Sequence, residues 1–162
     1  MGPALDRRMP FELQLRYSTP LGAVRDLDEA LRTFLAHVGY LREEESDQAS
    51  VAYRLVRECF LGAPGRAWAV EELTATLQTT KPTMYRHLNR LKSLDLLEEV
   101  TLSPEEARGR KGYRLRYGNL ARAWDFVEAN AQNALKRYRE GVDHIQTLLD
   151  EAGKTKAKVD KA

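Results

Sequence analysis

Cationic and amide side chains follow a helical spacing between Lys81 and Leu94. At about 100° per residue, Met84, Leu88 and Leu91 share one apolar stripe, which predicts the buried side of a helix. The opposite side carries groups that can donate hydrogen bonds to base edges and phosphates. The candidate contact residues of this helix are Lys81 at its start and Thr83, Arg86, Asn89 and Arg90 on the opposite side. The polar side of an isolated helix of this kind would more often be only a solvated surface. Whether it has a function must therefore be inferred from the neighbouring elements.

A second group of cations lies downstream, in a polar loop that contains glycines. This group consists of Arg108, Arg110 and Lys111, between Gly109 and Gly112. The segments on both sides have strand character, so the loop predicts the tip of a β-hairpin. Arginines on such a tip can lie along a phosphate backbone or enter the negative minor groove. A solvated loop without function is the alternative.

The positive charge of the chain is concentrated around these two groups. Residues 79–118 hold nine Lys and Arg against five Asp and Glu, whereas the whole chain has a net charge of only +2. A local excess of this sign is typical of a surface that meets a polyanion. An excess of four is modest, however, and inert surfaces can carry as much.

The composition is that of a soluble globular protein, with 43% hydrophobic and 31% charged residues among 162. No run reaches the ~18–20 apolar residues that a membrane span needs, and the first ten residues lack the apolar stretch of a secretory signal. We therefore expect a cytoplasmic protein without a membrane partner. The single cysteine, Cys59, cannot form an internal disulfide and is expected to be buried.

The order of the elements supplies a context for the basic helix. Apolar residues at helical spacing predict helices over Asp26–Glu44 and Asp47–Leu61. The acidic run Glu43–Glu45 closes the first of them as a solvated surface. A short strand, Trp68–Val70, and a short helix, Glu71–Leu77, then precede the basic helix. Together with the hairpin that follows, this is the order of a winged helix-turn-helix, in which one helix is presented outward.

The predicted fold is therefore mainly α-helical, with a small β-hairpin wing and a long C-terminal helix. We expect an extended arm over residues 1–20 and a helical part with the winged helix over 21–118. A long helix should follow over 119–152, and residues 153–162 should form a disordered basic tail.

The long helix carries a heptad pattern over about four heptads. Its seam residues alternate at steps of three and four: Trp124, Val127, Ala131, Ala134, Tyr138, Gly141, Ile145 and Leu148. Such a helix extends well beyond the core of a small domain, so its apolar side needs another surface to pack against. A homodimer is the expected partner, because paired DNA half-sites match a two-fold dimer. Packing against the N-terminal helices of the same chain is the alternative.

Several of these segments resemble winged-helix regulators of the ArsR/MarR type. The resemblance lies in Trp68–Leu73, Thr80–Leu91 and Leu94–Glu98, with Gly109–Leu115 similar to the wing and its returning strand. It covers about 50 residues and implies a sequence-specific regulator of transcription that binds double-stranded DNA as a homodimer. One departure is Asp95, which stands where such proteins often have glycine at the end of the recognition helix.

Other functions find little support in the sequence. The three histidines, His37, His87 and His144, have no Cys or His three or four residues away, so we expect no metal site and no cofactor. No phosphate-binding glycine loop or nucleophile motif is present, so we expect no enzyme. A protein–protein adaptor in a larger nucleic-acid machine stays open as the alternative function. An effector cavity between the N-terminal helices and Trp124 and Phe126 also stays open, although a place in the packed core is the favoured interpretation of these aromatic residues.

Overall fold

The computed structural model of the chain describes residues 10–16, 20–102 and 110–161. Its α-helices are α1 Leu27–His37, α2 Val51–Arg54, α3 Val70–Leu77, α4 Lys81–Ser93 and α5 Leu120–Lys161. Its strands are β1 Leu97–Thr101 and β2 Lys111–Leu115, which form one antiparallel sheet. The predicted fold class, mainly helical with a small hairpin after the helix-turn-helix and a long C-terminal helix, is confirmed.

The first helix is shorter than the sequence pattern predicts. The Asp26 side chain caps α1 by accepting a hydrogen bond from a backbone N–H in its first turn. The helix ends at His37 rather than Glu44, because Gly39 has a φ of +91°, which a right-handed helix cannot include. The acidic run Glu43–Glu45 consequently forms a separate 3-10 turn instead of the end of a helix.

The second helix begins after Ser50, whose hydroxyl accepts a hydrogen bond from the Tyr53 N–H at 3.1 Å. It continues beyond α2 as a π-helical segment, Leu55–Phe60. The apolar side of this segment is buried, and Cys59 is only 1% exposed, as expected for a packing role. Burial raises the pKa of the Cys59 thiol to about 11, which keeps it protonated and unreactive.

Helices α3 and α4 are joined by a tight turn with identifiable caps. Gln78 takes a left-handed conformation, φ 52° and ψ 55°, and ends α3. The Thr80 side chain caps α4, and Pro82 occupies its first turn, where the missing N–H costs no helical hydrogen bond. Asp95 follows α4 with a φ of 60°. Aspartate therefore takes the left-handed position that glycine often fills, so α4 still ends in the usual way.

The hairpin is anchored to the segment before α3. β1 and β2 pair with Leu97 opposite Leu115 and Thr101 opposite Lys111. Trp68 exchanges two backbone hydrogen bonds with Tyr113, at 2.7 and 2.8 Å. The predicted strand Trp68–Val70 is thus reduced to one bridge, because α3 already starts at Val70.

One core holds these elements together. Its fully buried members come from every element up to the start of α5 and include Leu35, Leu55, Phe60, Leu73, Met84, Leu88 and Val127. The described part of the N-terminal arm joins this core. Phe11 and Leu13 pack against it, and the Glu12 N–H donates to the Ser93 carbonyl at 2.9 Å.

The last helix is longer than predicted. α5 continues to Lys161, so the predicted disordered tail from Gly153 is wrong for the described residues. The residues after Gly153 alternate lysine and threonine with alanine, valine and aspartate, and none of them breaks a helix as proline would. The chain divides into two compact units after Val127, and α5 supplies all of the second. None of the described helices combines the length and apolar composition needed to cross a bilayer.

Candidate nucleic-acid interface

Helix α4 has a buried and an exposed face. Met84 is 0% exposed, and Leu88 and Leu91 are each 1% exposed, so the predicted apolar stripe faces the core. The other predicted contact residues of α4 differ in burial. Lys81 and Arg86 are exposed, whereas Thr83 and Asn89 are half-buried. The first two turns of α4 therefore offer one exposed surface of hydrogen-bond donors.

Arg86 is the exposed arginine of this surface. Its side chain makes no hydrogen bond or ion pair with another described residue. Beside it, Tyr85 is 45% exposed and presents a phenol that can donate to a phosphate oxygen. Tyr85 is not among the contact residues predicted from the sequence, because it lies between the apolar stripe and the polar face of α4. Its type was the available signal, since a large aromatic ring next to a stripe can stay outside the core.

Glu71 joins the start of α4 to the wing. The Lys81 Nζ and the Arg110 Nη1 each lie 3.4 Å from the same carboxylate oxygen, Glu71 Oε1. A hydrogen bond from its own backbone N–H, in the first turn of α3, lowers the pKa of Glu71, and the two cations lower it further. The two predicted groups of cations are therefore brought together on one surface. Glu71 is not among the residues predicted from the sequence, because a glutamate in the first turn of a helix is common there for its effect on the macrodipole alone.

A second glutamate organises the strands of the wing. Glu99 on β1 accepts from the Lys92 Nζ at 2.8 Å and lies 3.5 Å from the Lys111 Nζ. The bond from Lys92 is the main cause that lowers the pKa of Glu99. Lys111 keeps 72% of its side chain exposed and Arg110 keeps 60%, so both can still reach a ligand. The third predicted wing cation, Arg108, lies outside the described residues.

Arg90 does not lie free on the outer face of α4, which corrects its predicted place. Its guanidinium makes two parallel bonds to the Glu45 carboxylate, at 2.7 and 2.8 Å, and a further bond to the Tyr40 carbonyl. Only 17% of the Arg90 side chain is exposed, and the guanidinium also contacts the Tyr40 ring. The prediction that Glu43–Glu45 is merely solvated is therefore wrong for Glu45. We remove Arg90 from the predicted DNA contacts, because Glu45 and the Tyr40 carbonyl engage its Nη1 and Nη2 and its Nε is buried.

The surroundings of this ion pair fix its protonation state. Burial by itself would raise the pKa of Glu45, but the hydrogen bonds from Arg90 and from the Arg42 backbone lower it to about 2. His87 is 3% exposed and contacts Arg90 through Nδ1. Burial first, and then the charge of Arg90, lower the pKa of His87 to about 4. At neutral pH the cluster is therefore one arginine, one carboxylate and one neutral imidazole.

The predicted dimer seam of α5 begins inside the chain's own core. Val127 is 0% exposed, and the Trp124 ring packs edge-on against Phe34 at 5.4 Å between centroids. We remove both residues from the predicted dimer contacts, because this chain already covers them. Among the remaining seam residues, Ala131 and Ala134 are half-buried and Gly141 is exposed. Tyr138, Ile145 and Leu148 are 69%, 57% and 50% exposed.

The two aromatic residues that could border an effector cavity, Trp124 and Phe126, each contact another side chain of the chain. The apolar cavity beside Phe34 has a volume of about 10 Å³, roughly enough for one water. Phe126 lies under the guanidinium of Arg116 at 3.9 Å. Elsewhere, the described residues contain no group of three His, Cys, Asp or Glu side chains placed to hold a metal ion.

The comparisons with known proteins agree with this architecture. A family of helix-turn-helix domains matches residues 49–100, about a third of the chain. The matched stretch contains α2, α3, α4 and most of β1. It supports a helix-turn-helix regulator that binds DNA, which is a class of proteins that are usually not enzymes. No curated protein and no solved structure is significantly similar to the chain.

Proposed function

We propose that the chain is a regulator of transcription that binds specific sequences of double-stranded DNA as a homodimer of the ArsR/MarR type. Helix α4 enters the major groove, where Lys81, Thr83, Arg86 and Asn89 contact bases or phosphates. The wing cations, Arg110 and Lys111 together with Arg108, contact the flanking backbone or the minor groove. The predicted cytoplasmic location is part of this proposal, because a regulator works where its DNA is.

The position of Glu71 between the start of α4 and the wing gives the proposal its strongest support. The side chains of Lys81 and Arg110 approach the same oxygen of Glu71, so the start of α4 and the wing belong to one cationic surface. Arg86 adds an exposed guanidinium with no ion-pair partner among the described residues. A helix start and a hairpin side by side form the pair of elements that reads a major groove and grips its flank.

The test is duplex affinity measured against salt concentration for the wild type and the double variant Arg86→Ala/Arg110→Ala. Loss of two phosphate contacts should flatten the log–log salt slope by about 1.8. Lys136→Ala, which removes an exposed cation from α5, is the matched control and should keep the wild-type slope. If no duplex is bound in a salt-dependent manner, the proposed function is wrong.

Specificity and symmetry need a separate measurement. Repeated selection from a random duplex pool should enrich one motif, arranged as two half-sites about one helical turn apart for a dimer. A pool that stays random would contradict sequence-specific binding. Stable capture of a different protein, with no affinity for any duplex, would favour the adaptor function instead.

A further inference from the structure

An apolar face runs along α5 beyond Val127. It consists of large side chains that are each more than half exposed: Leu135, Tyr138, Val142, Ile145 and Leu149. They recur at steps of three and four residues, so they share one side of the helix. Exposed large apolar residues are ordinary when they are scattered, but a continuous patch over four turns marks an interaction surface.

The two edges of this face differ in chemistry. Along one edge, at intervals of seven residues, lie Arg137, His144 and Glu151. Their side chains are exposed and make no hydrogen bond or ion pair with another described residue. The other edge is apolar and holds Leu135, Val142 and Leu149 at the same interval. The surface is therefore charged on one flank and apolar on the other.

This asymmetry distinguishes the two ways in which a pair of helices can align. In a parallel pair each flank meets the opposite flank of the second helix, whereas in an antiparallel pair each flank meets its own equivalent. Parallel pairing would place Arg137 against Val142 and His144 against Leu149, and only Glu151 would meet an opposite charge, at Lys156. Antiparallel pairing places Arg137 of one copy beside Glu151 of the other, and Leu135 beside Leu149.

The residues between the flanks fit the antiparallel arrangement as well. With the two-fold axis near residue 143, Ile145 lies opposite Gly141 of the second copy, so a large side chain meets a position without one. Tyr138 lies opposite Leu148, and Ala134 opposite Ala152. We propose that two copies of the chain pair antiparallel through residues 131–152 of α5. This inference rests on the proposed homodimer and adds its orientation.

Distances between identical labels test the orientation in the full-length protein. Spin labels are attached to Lys158→Cys or Thr147→Cys, while Cys59, only 1% exposed, stays unlabelled. Antiparallel pairing should offset the two labels along the helix axis by about 45 Å at position 158 and by about 12 Å at position 147, given a rise of 1.5 Å per residue. Parallel pairing should give similar short distances at both positions and would overturn the proposal.

A charge exchange tests the contact between Arg137 and Glu151. Arg137→Glu should raise the dissociation constant of the dimer about tenfold, because it replaces two attractive pairs with two repulsive ones. The double variant Arg137→Glu/Glu151→Arg should restore the wild-type value. Lys136→Glu makes the same charge change on the opposite side of α5 and should have little effect. A double variant as weak as Arg137→Glu would contradict the contact.

The outcomes separate this inference from the proposed function. A chain that is monomeric at all concentrations would overturn the antiparallel pair and the homodimer together. Salt-dependent binding of that monomer to a duplex would still support DNA binding. A dimer with short distances at both label positions would overturn the orientation alone.

Discussion

Two arginines one turn apart on α4 lie in opposite surroundings. Arg86 is exposed and has no ion-pair partner among the described residues, whereas Arg90, one turn later, is held by Glu45 with 17% of its side chain exposed. At the start of the helix, Lys81 lies 3.4 Å from one exposed glutamate, Glu71, which it shares with Arg110 of the wing. The difference suggests two separate roles. Arg90, in the second half of α4, holds the helix in position, whereas Arg86 and the start of the helix are available to a ligand.

The largest effect on stability is expected from the loss of Glu45, the ion-pair partner of Arg90. Glu45→Ala leaves the guanidinium of Arg90 without its counter-ion in a mostly buried site, which should lower the free energy of unfolding by about 3 kcal/mol. Urea unfolding measures the loss. Glu44→Ala, at an exposed neighbour of the same charge, should change stability by less than about 0.5 kcal/mol. Equal losses in the two variants would refute a special role for Glu45.

A substitution at Arg86 should instead affect DNA binding more than stability. Arg86→Ala should weaken duplex binding about tenfold and reduce the salt slope by about 0.9, because one phosphate contact is lost. Its unfolding free energy should stay within about 0.5 kcal/mol of the wild type, since the side chain is exposed. Arg90→Ala is the comparison variant, for which the stability loss should dominate. If Arg86→Ala unfolds as readily as Arg90→Ala, the separate roles of the two arginines are wrong.

Acid should destabilise the cluster of Arg90, Glu45 and His87 over a defined pH range. The pKa of His87 falls from 6.5 to about 4 on folding, mainly through burial. Between these values the unfolded chain binds a proton that the folded chain does not, so stability decreases as the pH falls. The loss from pH 7 to pH 5 should be about 2 kcal/mol, measured by urea unfolding at both pH values. Glu45, with a pKa of about 2, adds its own loss only below pH 4.5.

A variant of His87 identifies the source of this pH dependence. His87→Gln keeps a polar side chain of similar size but cannot be protonated, so stability should change less between pH 7 and pH 5. An unchanged slope in this variant would assign the effect to another group.

The smallest effect is expected from the glutamate between the helix and the wing. Glu71→Gln removes a negative charge that Lys81 and Arg110 share, which should raise duplex affinity about threefold, since exposed pairs of this kind contribute little to stability. Salt titration of a fixed duplex measures the change. A loss of affinity would mean that Glu71 matters more for holding the two cations in place than for masking them.

Local signals in the sequence were sufficient for most of the architecture. The apolar period of Met84, Leu88 and Leu91 and the cap at Thr80 predicted α4 to within one residue of its end. Such signals work because a helix is stabilised by its own turns and caps, which lie within a few residues of one another. A local signal was overlooked at Gly39, whose positive φ ends α1 in a Schellman motif with the Tyr40 N–H donating to the Leu35 carbonyl.

The amino-acid sequence by itself therefore determined the order of the elements, the apolar face of α4 and the excess of cations around it. Only the tertiary structure decided which of those cations are available. Glu45 is 45 residues away from Arg90 along the chain, and Glu71 is 39 away from Arg110. No periodicity within a helix can report such a partner, because an ion pair depends on where folding brings two distant segments. The same reason assigns Trp124 and Val127 to the core and leaves the rest of the α5 face exposed.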